Sequence, residues 1–470
     1  MFAPTLRYHN GEFYVICTYL APADERILIG TLFKTANPFD NEAWSQPVLF
    51  TIGGIDPDLF WDDDGKVYMA YAWINLRGSS PEGPHIYKKN DFHYLMIAEG
   101  GTELNHMETI ARSRNVTGPY EAYEHNPILS NANTTEYFQT VGHADLFRDP
   151  QGKWWGVALS TRSGPAWEIY PMGRESVLYP VSWSGDWPVL DPVRGIMSGW
   201  PLPLSSKSLA AASAYTYEPD VIDFAPGSSL PLNFYTWRYA PRNDTFQVSP
   251  RGHSQSLMVL PSRANLTGSS TSPELSGLQG IAFVGRKQEH TLFTYAVDLA
   301  FNPEAAGQEA GVSAFLTQQQ HLDLSLRYAD VNASRDAREL VLRFYAEGAN
   351  MTSSEDVFAL PSSWPSAGSV RLQIHTANST HYVFSAWPVS NSNDRIVLGY
   401  GPAEVVSGGT GPFTGVILGV FATCNGGSGN ENMCSGAGAE AYFSNWRYQG
   451  SAQHISSSEL APAAALHEEL

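Results

Sequence analysis

Apolar residues in the first 160 positions come in short alternating runs rather than at helical spacing. Four segments share one pattern: PTLRYHNGEFYVICTY from Pro4, DLFWDDDGKVYMAYAW from Asp58, HIYKKNDFHYLMIAEG from His85 and DLFRDPQGKWWGVALS from Asp145. Each opens on a polar or turn residue followed by two or three apolar or aromatic ones, passes through a polar turn (HNG, DDDG, KND, DPQG) and closes on a second apolar run. Two alternating runs around a turn signal predict a β-hairpin. A hairpin repeated with irregular insertions predicts the blades of a β-propeller, whose sheets are arranged radially. The competing arrangement is a sandwich of four similar hairpins. Further along, HTLFTYAVDLAF, HLDLSLRYA, LVLRFYA, VRLQIHTA, HYVFSAWPV and GVILGVFAT alternate in the same way and predict a two-sheet sandwich over residues 246–448. Residues 201–245 are Pro/Ser-rich and read as a connection. Residues 449–470 read as a disordered polar tail.

Composition narrows the function classes. A chain of 470 residues is long enough for two domains. Its 28 Lys+Arg against 47 Asp+Glu argue against nucleic-acid binding, which needs a basic face. No apolar run approaches the ~20 residues that span a bilayer. Aromatics make up 12% of the chain, which suits strands and also surfaces that stack on sugars. Seven N-x-[ST] sequons, at Asn115, Asn133, Asn243, Asn265, Asn332, Asn350 and Asn378, point to a secreted glycoprotein. Cys424 and Cys434 lie ten apart in a Gly/Asn-rich loop and are expected to form a disulfide, and Cys17 in FYVICTYL a buried thiol. The first residues carry no signal peptide, so the chain is expected to lack part of a secreted parent.

Chemistry collects where each hairpin begins. Residues just before the first strand of a blade point towards the propeller axis, and three repeats place reactive groups there. They are Asp56 and Asp58 in IDPD, Glu82 and His85 in PEGPH, and His143 and Asp145 in VGHAD. Carboxylates from different blades that meet in one funnel can form an acid/base pair.

The runs APTLRYHNGEFY, GGIDPDLFWDDDGKVY, PEGPHIYKKND, AEGGTELNHMETIARSRNVTGPY, TVGHADLF and YPMGRE resemble glycoside hydrolase family 43, which contains β-xylosidases and α-L-arabinofuranosidases. SPRGHSQSLMVLPSRANLTG, RKQEHTLFTYAVDLAFNPE, EAGVSAFLTQQQHLDLSLRY and AYFSNWRY resemble the concanavalin-like sandwich that follows the propeller in its β-xylosidase-type members. The resemblance implies an all-β chain with a five-bladed propeller, and hydrolysis with inversion. By its pattern Glu82 matches the general acid, Asp56 the carboxylate that tunes the pKa of the acid, and Arg174 in MGRE a substrate contact. His143 and Trp73 are further substrate-binding candidates. His143 reads first as a structural histidine and second as a contact to an ion on the propeller axis, and Trp73 first as a core or interface residue. Asp58 and Asp62–Asp64 read as turn and edge acids. No cofactor and no metal ligand set is expected, although a structural calcium on the axis is compatible with the resemblance. The expected partner is an oligosaccharide or polysaccharide.

The sequence departs from the family in one respect. The general base belongs to a first blade ahead of the APTL run, and here that run begins at residue 3. About four blades, residues 1–200, and no base are therefore expected, with impaired hydrolysis. The alternative is a carbohydrate-binding pseudoenzyme or lectin-like protein.

Overall fold

Asn10 and Gly11 turn the first hairpin with both residues left-handed (φ 49° and 86°), and Asn90 and Asp91 turn the third (φ 49° and 61°). Asn, Asp and Gly bear this conformation at least cost, and the twist it gives matches that of paired strands. The computed structural model describes residues 2–20, 27–73, 81–195, 219–238, 240–268, 280–330, 338–349, 351–365, 368–408, 413–430, 432–434 and 439–463. The chain divides into two compact units, Met1–Ala166 with Glu175–Ser206, and Trp167–Arg174 with Lys207–Leu470.

Among the described residues the first unit holds four sheets, one for each predicted hairpin. The first runs β1 (Phe2–His9), β2 (Glu12–Leu20), β3 (Leu28–Thr35) and β4 (Val48–Thr51). The second pairs β5 (Gly54–Trp61) with β6 (Val67–Trp73). The third is built from β7 (Glu82–Lys89), β8 (Phe92–Glu99), β9 (Met107–Ser113), β10 (Glu121–Ala122) and β11 (Leu129–Ser130). The fourth comprises β12 (Phe138–Arg148), β13 (Trp154–Arg162), β14 (Arg174–Ser182) and β15 (Val189–Leu190). Strand β5 packs against β1 and β2 on one side and β7 on the other, and β12 packs against β7, β8 and β9. This is blade-on-blade packing, with Tyr94, Met96, Ile110, Val141 and Tyr179 in the core.

The second unit is a sandwich. One sheet orders the strands Phe246–Val248, Leu257–Val259, Ala441–His454, Leu292–Phe301, Val370–Asn378, His381–Pro388 and Ile396–Pro402. The other orders Phe234–Thr236, Phe283–Lys287, Ile417–Thr423, Glu309–Thr317, Gln320–Asp330, Arg338–Glu347 and Ser354–Ala359. Leu322, Leu324, Phe384, Val420 and Trp446 fill the space between them. The expected disulfide is present, with the Cα atoms of Cys424 and Cys434 6.1 Å apart, and Cys17 is a buried free thiol. Among the described residues no helix is long and apolar enough to cross a membrane.

Three boundaries differ from the sequence reading. The described part of the 201–245 connection is part of the sandwich. Asp220–Ile222 pairs with Ala441–His454, and Phe234–Thr236 with Phe283–Lys287. The tail expected to be disordered from residue 449 continues the 441–454 strand, and Leu460–Pro462 pairs back onto it. Its polar Ser and Gln residues concealed backbone pairing along a sheet edge. Residues 167–174 belong with the sandwich, where the Tyr170 N–H donates to Ser407 Oγ and the Val416 N–H to the Pro171 carbonyl. Residues 201–218 and 464–470, Asn332 and Asn350 lie outside the described residues.

Candidate active site

The inner strands of blades two, three and four each contain a bulge at the same place, between Ile55 and Asp58, between Glu82 and His85, and between Gly142 and Asp145. Within each bulge one residue is left-handed: Asp56 (φ 55°), Gly83 (φ 52°) and His143 (φ 51°). A bulge re-aims the side chains beside it. Here the three bulges bring Asp56, Glu82 and His143 together, with one carboxylate or imidazole atom of each within 4.8 Å of the others. Asp56 is only 4% exposed, and its carboxylate accepts from the Gly83 N–H at 3.2 Å. Gly83 leaves room for the His143 ring, since a Cβ there would stand 2.6 Å from it.

A second tier lies two or three positions further along the same strands. Arg7, from the first blade, donates through Nη2 (2.8 Å) to Asp58, with Nε also 2.8 Å from that carboxylate, and through Nη1 and Nη2 (3.1 Å) to Asp145. His85 Nδ1 lies 2.9 Å from Arg7 Nη2 and 3.1 Å from Asp58 Oδ2. That nitrogen accepts from Arg7 when neutral and donates to Asp58 when protonated. Tyr87 donates its hydroxyl to Asp145 at 2.8 Å and accepts from the Leu146 N–H. Burial would lower the basicity of Arg7, but Asp145 and Asp58 outweigh it and the guanidinium pKa is raised. Burial opposes the charge on Asp145, yet His85 and Arg7 hold its pKa below the usual value. For His85 burial acts downward, and Asp145 and Asp58 raise the pKa overall.

Glu108, on β9, supports the fourth bulge from behind. Fully buried, it accepts from the Ala144 N–H at 2.7 Å. Burial drives its pKa well up, against the pull of the Ala144 and His143 N–H groups. His106 lies against Gly142, where an added Cβ would stand 2.7 Å from its ring, and its Nδ1 is 3.0 Å from the Thr140 carbonyl.

The sequence reading missed Arg7 and Glu108. Their only sequence signal is a charge set among apolar strand residues, in TLRYH and HMETI. Asp58 is not the turn acid expected. It is 1% exposed and held by Arg7, because the bulge turns it inward. Asp62 does sit at the hairpin turn, paired with Lys88 and His93. Trp73 ends β6 at 67% exposure. Arg174 groups with the second unit, its guanidinium 3.7 Å from the centroid of the Phe413 ring. Glu175, beside it, pairs instead with Arg162. As ion ligands, Asp56, Glu82 and His143 offer two carboxylates and an imidazole, short of the six to eight oxygens that calcium takes. A calcium ion held there would need waters to complete its shell.

Residues 1–81 and 76–188 match the family described as glycosyl hydrolases family 43, and residues 221–449 match the β-xylosidase C-terminal concanavalin A-like domain. A non-reducing end α-L-arabinofuranosidase, BoGH43B of Bacteroides ovatus, is 31% identical over 462 residues, covering 90% of this chain and 78% of its own. A xylosidase/arabinosidase of Butyrivibrio fibrisolvens is 26% identical, covering 92% and 84%. Among solved structures, the GH43B protein of a Bacteroides ovatus xyloglucan locus superposes with a TM-score of 0.75 at 28% identity over 96% of this chain and 85% of its own. A mutant of the GH43 protein BlXynB from Bacillus licheniformis gives 0.76 at 25% identity over 95% and 85%.

Proposed function

This chain belongs to glycosyl hydrolases family 43 and is a glycoside hydrolase, and we propose that it removes terminal arabinofuranosyl or xylosyl units from xylose- and arabinose-containing polysaccharide fragments with inversion. The observation that carries the roles is the Asp56–Glu82 pair. Carboxylates serving as acid and base in inversion stand roughly 6.5–9.5 Å apart, to admit a water between sugar and base. A separation within 4.8 Å is too short for that and suits an acid beside its modulator. Glu82, partly open, protonates the leaving oxygen. Asp56, enclosed and anionic, makes a second negative charge at Glu82 costly and so keeps the acid protonated. The same separation approaches the spacing of a retaining pair, but a nucleophile must reach the sugar and Asp56 is 4% exposed. His143 contacts the substrate in this reading.

In this reading no described residue is assigned as the water-activating base. Asp58 and Asp145 are the nearest further carboxylates along the same strands, and both are committed to Arg7. The chain then turns over slowly, and the same commitment favours the second reading, sugar binding without catalysis. Secretion is part of the proposal. The disulfide supports it, as do the exposed sequons at Asn115, Asn133, Asn243 and Asn378, whereas Asn265 donates its side-chain amide to Asn425.

The test is hydrolysis of aryl α-L-arabinofuranosides, aryl β-xylosides and the corresponding disaccharides, with the first-formed anomer read by proton NMR. Glu82→Gln is expected to cost about 10²–10⁴-fold in kcat on disaccharides and less on aryl glycosides, whose leaving groups need little protonation. Equal losses on both substrates overturn the acid assignment. Sugar binding without turnover selects the second reading, and a retained anomeric configuration rules out inversion.

A further inference from the structure

Each bulge that aims a site residue is followed at once by a side chain of the Arg7 network. Asp58 comes two positions after Asp56, His85 three after Glu82, and Asp145 two after His143. A bulge interrupts the strand ladder, so the backbone there is fixed less by pairing than by what its neighbours grip. In this molecule they grip one another. A single guanidinium from the first blade forks onto the carboxylates of the second and fourth blades and meets the imidazole of the third. The titratable groups that interact with it are Asp58 on β5, His85 and Tyr87 on β7, and Asp145 on β12.

We propose that Arg7 is the positioning residue of the site, and that its planar fork fixes the three bulges so that Asp56, Glu82 and His143 converge. What those side chains then do rests on the glycosidase reading, whereas how they are held does not. Geometry requires Arg rather than Lys, because two carboxylates and an imidazole are met in one plane by rigidly spaced donors, which an ammonium on a flexible stem cannot reproduce. Nothing in the family match or in the named relatives assigns this residue a role.

The experiment uses the full chain with Arg7→Lys, Arg7→Met and the charge-balanced pair Arg7→Met with Asp145→Asn. The pair separates positioning from stability, because it leaves Asp58 with His85 and removes the Asp145 carboxylate that the single variant leaves stranded at a cost in stability. Amide hydrogen exchange is followed over residues 54–58, 82–85 and 142–145, alongside melting temperature, kcat and KM. In the balanced pair, melting is expected within about 5 °C of the parent while these amides exchange at least about tenfold faster than in the parent. There kcat falls about 100-fold with KM changed less than about threefold, the signature of misplaced catalytic groups. Arg7→Lys lies between the two. Unchanged exchange in the folded pair overturns the proposal whatever the turnover, and so does a kcat that recovers together with the melting temperature. If the amides loosen but Glu82→Gln leaves turnover intact, the catalytic assignment fails and the positioning role stands. If the pair does not fold, Arg7→Lys decides: parental exchange and kcat in that variant overturn the proposal.

Discussion

In the sandwich, Arg371 and Asp298 sit opposite one another on adjacent strands of one sheet, and Arg371 donates through Nε and Nη2 at 2.5 and 2.8 Å. Asn445, on the strand on the other side, adds a donor to the same carboxylate. In the propeller, Arg7 reaches partners 51, 78 and 138 residues away on three other blades. The sandwich pair follows from strand register and stabilises a sheet that pairing already fixes. The propeller network has no register behind it and joins sheets that, among the described residues, share no backbone hydrogen bonds. Similar chemistry thus reinforces local structure in one region and creates long-range structure in the other.

The sharpest way to break this comparison acts on the site alone. On the proposed roles Asp56→Asn removes the charge assigned to tuning Glu82, and kcat on disaccharides is expected to fall about 10²–10³-fold, with the alkaline limb of the pH–rate profile moving down. An unmoved limb would separate Asp56 from the acid. Next, the two arginines can be compared directly by thermal melting. Arg7→Met strands two carboxylates and is expected to cost about 3–5 kcal/mol. Arg371→Met, whose side chain is 30% exposed, is expected to cost about 1–3 kcal/mol and to leave kcat unchanged. Equal costs, or lost turnover in the sandwich variant, would remove the distinction.

Gly83→Ala tests the bulge itself. The left-handed backbone costs about 1–2 kcal/mol for a residue with a Cβ, and the new methyl displaces the His143 ring. An approximately tenfold loss of kcat is expected, and a melting change without a kinetic one would show His143 to be dispensable. The smallest effect concerns pH. Glu108 ionises near 4.5 in the unfolded chain and well above that when folded. Between those values the native state holds the extra proton, so stability falls as pH rises, by at most about 1.4 kcal/mol per pH unit. His85, with its raised pKa, adds a decline of the same sign from about pH 6.5 upward. Glu108→Gln is expected to flatten the melting temperature between pH 5 and 6.5, whereas an unchanged slope there assigns the decline to other groups.

What the sequence disclosed follows the same division. The hairpins were readable because Asn10-Gly11 and Asn90-Asp91 encode their turns within two residues. The sandwich strands were readable because their alternation is local. Asp56 and Glu82 were found through motif resemblance and their shared place in the repeat. Arg7 could not be found, because nothing within TLRYHNG names partners on three other blades. Asp58 was misjudged for a related reason. Whether it faces a turn or the axis depends on a bulge, and the bulge depends on Asp56 adopting a left-handed backbone that no local pattern demands.

The long strand Ala441–His454 has a consequence for the birth of the protein. Leu257–Val259 and Leu292–Phe301 pair with it, and it stands between them in the sheet. On the ribosome these segments emerge some 140 residues or more before their partner. At the usual rate of synthesis they wait roughly 10–30 s, with one edge of each unpaired. Propeller hairpins close within a few residues of their turns and have no such delay. The sandwich is therefore the part of the nascent chain most exposed to wrong pairing, and the part for which slow elongation or chaperone protection matters most.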